Sequence, residues 1–373
     1  MERPYLRVYQ PMAAGPDSQK IPLQYIGMFD SYTSLRWQNC YSDSGEFEIH
    51  MPYRPEYLEL FDVFNIVKIS RPVKEPYGMI VYMETVTNEL GFTELAVRGR
   101  MVSYLLYFRF VMPNTNEAPY RYEYTGKPDV ILDRILRNCT DGATWMDDDR
   151  KFFGAGIAVT SELNNTYADK EYISDCDKTA YDAVQELVKE ANMGFYATVD
   201  GQNQLSVTIY DYRQANVKFD LFSGNVSQMR VTKSIDNLVT DVSTEGGTGA
   251  LTQTSTAQDI YRIDRYVNTD EIAYTGSTLE TNQKKTAFAR TKITLNKSVY
   301  AIDATIFPDG ISYLDDYTIG DLVQVYSGIH RVSVSMPIMG VTEVWEDFYS
   351  IQVQFGEQMQ TGYGKLKNNL IRR

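Results

Sequence analysis

The sequence predicts a mainly β protein with a smaller α/β segment inserted near its middle. Three observations predict it. Tyrosine is abundant, with 29 residues beside 16 phenylalanines, and aromatic residues mixed with β-branched ones fit a pleated, half-buried surface better than a helix. Residues 6–100 break into short runs of alternating apolar and polar residues divided by turn signals, the pattern of a barrel or sandwich. In the middle of the chain two stretches change to the helical period before alternation resumes.

The first strands are read in "LRVYQP", "LQYIGMFD", "SLRWQNCY", "GEFEIHMP", "FNIVKIS", "YGMIVYMETV" and "FTELAVRGR". Phe47 and Ile49, and Val81 and Met83, show the period of two expected when one strand face meets a core. In "TGKPDVILDRILRNC" Pro128 stands near a helix start, and Ile131, Leu132, Ile135 and Leu136 share one helical face. A second helix is predicted in "KTAYDAVQELVKEANMGF", with a stripe of Ala183, Val184, Leu187, Val188 and Ala191, and Gly194 is placed to stop it as a left-handed cap. "FYATVDGQNQLSVTIYD" then reads as a hairpin with Phe195, Ala197 and Val199 on one side and a turn at Asp200 and Gly201. Strands return through residues 217–244, and the glycine- and threonine-rich "EGGTGALTQTSTAQD" reads as an exposed loop. A short helix is expected in "TLETNQKKTAFART". Strands follow in "ITLNKSVYAIDATIF" and "RVSVSMPIMGVTEVWEDFYSIQVQFG", while "SYLDDYTIGDLVQVY", with aspartates around a glycine before a β-rich run, suits a metal loop, an acid/base site or a turn that launches a strand.

The chain has 373 residues, enough for two or three domains. Its 49 acidic against 36 basic residues give a net charge of -13, which argues against a surface built to neutralise phosphates, so no tight nucleic-acid binding is expected. No stretch approaches the roughly 18 consecutive apolar residues of a membrane span, and the N-terminus lacks the apolar core of a secretion signal, so the chain is expected to be made in a cytoplasm. Cys40, Cys139 and Cys176 are odd in number and far apart, which suggests buried thiols rather than a disulfide framework or a CxxC metal site.

Catalytic signatures are sparse. The two histidines, His50 and His330, stand far apart in strand-like runs, which disfavours zinc chemistry and histidine-based triads. No G-x-S-x-G elbow occurs, and "EGGTGA" lacks the lysine and spacing of a phosphate-binding loop. Asp147, Asp148 and Asp149 are consecutive, whereas a calcium loop alternates its ligands around a central glycine, so a solvated turn is the expected reading. Tyr120, Tyr122 and Tyr124 would line one face of a strand, where they could stack on sugars or pack in a sheet. Lys365, Lys367, Arg372 and Arg373 form a basic end able to touch an acidic partner, or simply a solvated terminus. No catalytic, cofactor or metal residue is therefore nominated.

Taken in order, the pieces resemble the tail-hub family of tailed phages, the siphophage-type tail-tip protein similar to the baseplate hubs of contractile tails. The resemblance starts with Leu35, Arg36 and Trp37 followed by Gly45, Glu46, Phe47 and Pro52, which match the family's opening strand pair. It continues through "YGMIVYMETV" and through Gly99 and Arg100, which lead to Leu105, Leu106 and Arg109. It resumes in "QLSVTIYDYR", "LFSGNVSQMRVTKSIDNLVTDVSTEGG" and "YTIGDLVQVY". The polar residues 247–275 depart from the family. The resemblance implies two β-barrel-like hub domains, residues 1–110 and 219–373, flanking a lateral α/β domain, residues 111–218, with a polar loop near 247–275. It implies a non-enzymatic homotrimer at the virion tail tip, assembled in the bacterial host cytoplasm, without cofactors. Its expected partners are a distal tail protein, a tape-measure protein and a separate receptor-binding or tip protein, since the chain ends about where a hub ends. In "YTIGDLVQVY" the family reading makes Gly320 a positive-φ turn residue, Asp321 a backbone acceptor, and Leu322, Val323 and Val325 strand residues. The rival reading is a carbohydrate-binding or carbohydrate-acting β protein.

Overall fold

The computed structural model describes residues 2–12, 23–114, 121–140, 157–175, 178–199, 204–235, 241–244, 247–250, 263–267, 299–307 and 310–356, with positions 277–279, 281–282 and 285. Its first region holds β1 (Leu6–Pro11), β2 (Leu23–Phe29), β3 (Ser34–Cys40), β4 (Glu46–Pro52), a short helix α1 (Glu56–Leu60), β5 (Ile66–Ile69), β6 (Tyr77–Thr87) and β7 (Thr93–Met101). After a 3-10 helix, Val102–Phe108, the middle region holds β8 (Arg121–Gly126), α2 (Pro128–Thr140), β9 (Ala158–Glu162), β10 (Lys170–Asp175), α3 (Ala180–Glu190), β11 (Gly194–Val199) and β12 (Leu205–Tyr210). The last region holds β13 (Arg213–Asp220), β14 (Val226–Ser234), β15 (Asp241–Thr244), β16 (Gly247–Ala250), β17 (Asp264–Tyr266), β18 (Val299–Ile306), β19 (Asp321–Ser327), β20 (Val332–Trp345) and β21 (Tyr349–Gly356). The fold is mainly β with an α/β part between two barrel-like sets of strands.

The two sets are one hydrogen-bonded sheet, in the order β14-β18-β21-β20-β3-β4-β7-β6-β5-β1-β2, with β13 and β19 branching from β20. The 14-residue β20 makes this possible. Its first half pairs with β19, and its second half lies between β21 and β3. Alternation puts Leu35 and Trp37 of β3 and Phe47, Ile49 and Met51 of β4 into one core, and Trp37 stacks on its cross-strand partner Phe47 with centroids 5.1 Å apart.

A second core belongs to the middle region. Ile131, Leu132, Ile135 and Leu136 of α2 and Ala183, Val184, Leu187 and Val188 of α3 are buried in it, each Leu, Ile or Val worth about 1.5–3 kcal/mol. β5 and the start of β6, Tyr77–Ile80, are buried on both faces, whereas Val81 and Tyr82 are exposed: Val67, Ile69 and Ile80 enter the first core, while Ile66, Tyr77 and Met79 enter the second. That is why their sequences are apolar runs without clean alternation.

Thr179 caps α3, its hydroxyl accepting the Asp182 N–H at 3.1 Å and donating to the Asp182 carboxylate at 2.7 Å. The left-handed residue after α3 is Asn192, φ 55°, and not Gly194. Asparagine tolerates that conformation, and Gly194 instead opens β11, where a Cβ would lie 2.5 Å from the Tyr41 ring. Within 247–275, read as loop, β16 and β17 flank β15 in a three-stranded sheet. The ladder runs through the short stretches "DVST", "GTGA" and "DRY", which have no apolar–polar alternation for the sequence to signal. The expected short helix shows helical positions 278–279, 281–282 and 285, with Thr281 bonded to the Ser277 carbonyl. No helix among the described residues is long and apolar enough to cross a membrane.

Candidate functional site

The polar and aromatic residues that converge do so where the three regions meet, around Tyr41. Following β3, Tyr41 donates its N–H to the Met339 carbonyl of β20 at 2.8 Å, and its own carbonyl accepts the Phe195 N–H of β11 at 2.9 Å. Its ring stacks on Tyr212 at 4.7 Å and meets Tyr210 edge-on at 5.0 Å, while its hydroxyl points to the Asn192 and Tyr210 carbonyls. Burial pushes the Tyr41 phenol far above its ordinary range, so it acts as a neutral donor.

Two glycines make room for this ring. Gly194 does so from the middle region, and Gly320 from the turn before β19, where φ is 86° and a Cβ would sit 2.8 Å from both Tyr41 and Tyr210. Gly320→Ala is expected to lower stability by about 2–4 kcal/mol, combining the left-handed penalty with overpacking. Urea denaturation checks this, and an unchanged midpoint would refute it.

Charged groups surround the joint. Lys74 lies 4.0 Å from the Tyr210 ring centroid, 4.8 Å from that of Tyr196 and 3.5 Å from the Glu162 carboxylate, and burial lowers its pKa. Glu75 is fully buried, accepts the Ala197 N–H at 3.1 Å and is pushed up to about 7 by burial. Arg213 forks onto Asp321 with two bonds of 2.9 Å, and Asp321 also accepts the Thr318 N–H at 2.9 Å. Asp321, Gly320 and the inward Val323 and Val325 thus take the turn-and-strand roles expected of "YTIGDLVQVY".

A second buried cluster lies beneath β20. Glu343 accepts Arg71 Nη2 at 2.7 Å and the Tyr349 hydroxyl at 2.8 Å, with the buried Tyr313 and Tyr317 phenols nearby. Burial raises the Glu343 pKa against the pull of Arg71 and Tyr349.

His50 sits between Glu94 (3.0 Å) and Glu48 (3.2 Å) on the sheet surface, and His330 Nδ1 bonds Ser327 at 2.9 Å in a turn. The histidines are not brought together. Cys40 and Cys139 are buried, Tyr122 is packed in the second core and Tyr124 lies at its margin. Cys176, Asp147, Asp148, Asp149, Tyr120, Lys365, Lys367, Arg372 and Arg373 lie outside the described residues. Among the described residues no cluster of His, Cys, Asp and Glu could hold a metal ion. The arrangement is that of a joint: its carboxylates accept backbone, arginine and tyrosine donors of the protein itself. Sequence reasoning missed Tyr41, Arg71, Glu75, Arg213 and Glu343. The one available signal was Glu343 itself, a charge interrupting the apolar run "PIMGVTEVW".

Solved structures that share this fold include three tail proteins. The 43 kDa tail protein of prophage MuSo2 from Shewanella oneidensis is 14% identical with a TM-score of 0.56, over 94% of this chain and 97% of that one. A tail protein from Neisseria meningitidis MC58 is 14% identical with a TM-score of 0.57, over 95% and 97%. The prophage tail protein gp18 from Listeria monocytogenes EGD-e is 9% identical with a TM-score of 0.50, over 98% of each chain. No curated protein matches the sequence. The family model described as Siphovirus ReqiPepy6 Gp37-like protein matches residues 21–357, nearly the whole described fold, and the chain belongs to that phage tail protein family.

Proposed function

We propose that the protein is the structural hub of a phage tail tip, three copies of which close a ring between the tail tube with its distal ring and the tip. The observation that carries this reading is the pair of barrel-like strand sets fused edge to edge through β20 and β3. One chain then supplies two similar units, and a three-fold ring presents six, the number needed to meet a six-fold tube. On this reading residues 1–110 and 219–373 are the hub domains and residues 111–218 project laterally. The role is non-enzymatic, in keeping with the phage tail protein family to which the chain belongs. Distal tail protein, tape-measure protein and a receptor-binding or tip protein are the partners, and an acid-rich lumen lets DNA pass without gripping it. The carbohydrate-binding or carbohydrate-acting reading is the rival: the fold puts Tyr41, Tyr122, Tyr172, Tyr181, Tyr210, Tyr313 and Tyr317 in the core and leaves Tyr5, Tyr25, Tyr82 and Tyr326 exposed.

Native mass measurement on the purified protein tests the proposal. The expected species has three times the 42.7 kDa of the chain and forms a ring by negative-stain microscopy. A closed dimer, or a trimer without a central channel, would refute it.

A further inference from the structure

We propose that the tip of the β6–β7 hairpin is an apolar knob that docks into a cavity on a second copy of this chain. The inference rests on the ring reading and names the surface that would close it.

The knob is held in shape. Asn88 donates its N–H to the Phe92 carbonyl and accepts the Gly91 N–H on its own carbonyl, both at 2.9 Å. Its side-chain oxygen accepts the N–H groups of Leu90 and Phe92 at 3.0 Å, and Gly91 takes φ 82°. This ordered turn leaves Leu90 80% and Phe92 71% exposed. Two adjacent large apolar side chains fixed in water at the end of an arm mark a contact surface.

The hole lies at the other end of β6. A cavity of about 270 Å³ is lined by Leu23, Ile66, Met79, Val102, Leu105 and Val199. Phe64 and Phe108 also line it and are 61% and 42% exposed, and Phe64 is held at φ 72°. Small-molecule sites usually add several converging polar groups to the apolar lining. Here Arg109 is the only charged lining residue, which suits apolar side chains better than a polar ligand. Arg109 also matches Glu89, the acidic residue of the tip.

A chain cannot fill its own cavity with its own tip. Met79 lines the cavity and Asn88 begins the tip, nine residues along the hairpin or roughly 30 Å. The contact is therefore heterologous, knob of one copy into hole of the next, the kind that generates closed rings.

The test compares wild type with Leu90→Ser/Phe92→Ser by native mass across a concentration series. The tip side chains are exposed, so the variant should keep the wild-type circular dichroism, while half-assembly shifts to a roughly 100-fold higher concentration, the loss of two interface anchors. Independently, Leu90→Cys and Phe108→Cys proteins, mixed and oxidised, should form a cross-linked pair that neither forms alone. A wild-type trimer that persists unchanged in the variant, with no cross-link in the mixture, overturns the docking and leaves the ring standing. Wild type that stays monomeric at every soluble concentration, again without a cross-link, overturns both. Occupation of the cavity by residues 13–22 of the same chain would appear as unchanged assembly and likewise overturn it.

Discussion

Replacing Arg71 with leucine is expected to cost about 3–5 kcal/mol at pH 8, because it strands a buried carboxylate. Arg71 follows β5 in the first region and Glu343 lies on β20 in the last, so this ion pair ties the two strand sets across their shared seam. The Glu343 side chain is only 2% exposed and that of Arg71 17%, so water does little to screen the change. Burial already holds Glu343 above the usual carboxylate range, with Arg71 and Tyr349 opposing it. Without Arg71 the carboxyl is pushed further up. A group whose folded pKa is raised contributes stability that is fully present below its unfolded pKa and is lost as pH rises through the folded value. The deficit of Arg71→Leu should therefore shrink toward pH 5, where the carboxyl is protonated, and grow toward pH 8. Arg71→Leu/Glu343→Gln should recover much of the loss, since the stranded charge is then gone. Urea denaturation at the two pH values decides the matter, and a double variant no more stable than the single one would sink the account.

What could be read from the sequence was what depends on near neighbours. The strands of the first region, the α2 and α3 stripes and the β11–β12 hairpin follow from periods of two and 3.6 within a few residues. The turn at Gly320 and Asp321 came from the family resemblance, since its aspartates and glycine alone suit a metal loop, an acid/base site or a turn. The seam was not local: Trp37 faces Glu343 across the β3–β20 ladder, and no periodicity links positions so far apart. For the same reason the joint escaped notice. Tyr41 looked like one tyrosine among 29, and only the fold reveals that Gly194 and Gly320 are small because its ring needs their space. Gly194 was misread because a glycine two residues past a stable Asn192 mimics a helix cap. Glu75, between Lys74 and Pro76, looked like a solvated loop acid. The fold buries it completely.

That burial carries the second large effect. Glu75 is held on three sides: its N–H bonds the Asn39 side chain at 2.9 Å, its carbonyl accepts Trp37 Nε1 at 3.2 Å, and its carboxyl accepts the Ala197 N–H at 3.1 Å. The first two contacts lie in the first region and the third in β11, so one side chain fastens the middle region to the sheet. Burial, the largest cause, pushes the carboxyl up to about 7, with the nearby Asp43 adding repulsion. The sign is again that of a raised pKa. Below about pH 4 both states hold the proton. Between there and pH 7 the unfolded chain loses it first, so stability falls by a total on the order of 3 kcal/mol and then levels off. Glu75→Gln keeps an oxygen for Ala197 and cannot ionise, so its profile should be flat over this range and should cross above wild type by pH 8. If both profiles fall in parallel, Glu75 is not the source. Because the carboxyl acts at the joint, the loss between pH 4 and 7 should appear first as reduced amide hydrogen-exchange protection at Ala197, while the Trp37 side of the same residue stays protected. Simultaneous loss of protection on both sides would mean that the regions unfold as one unit, and that Glu75 senses pH without controlling how the middle region is attached.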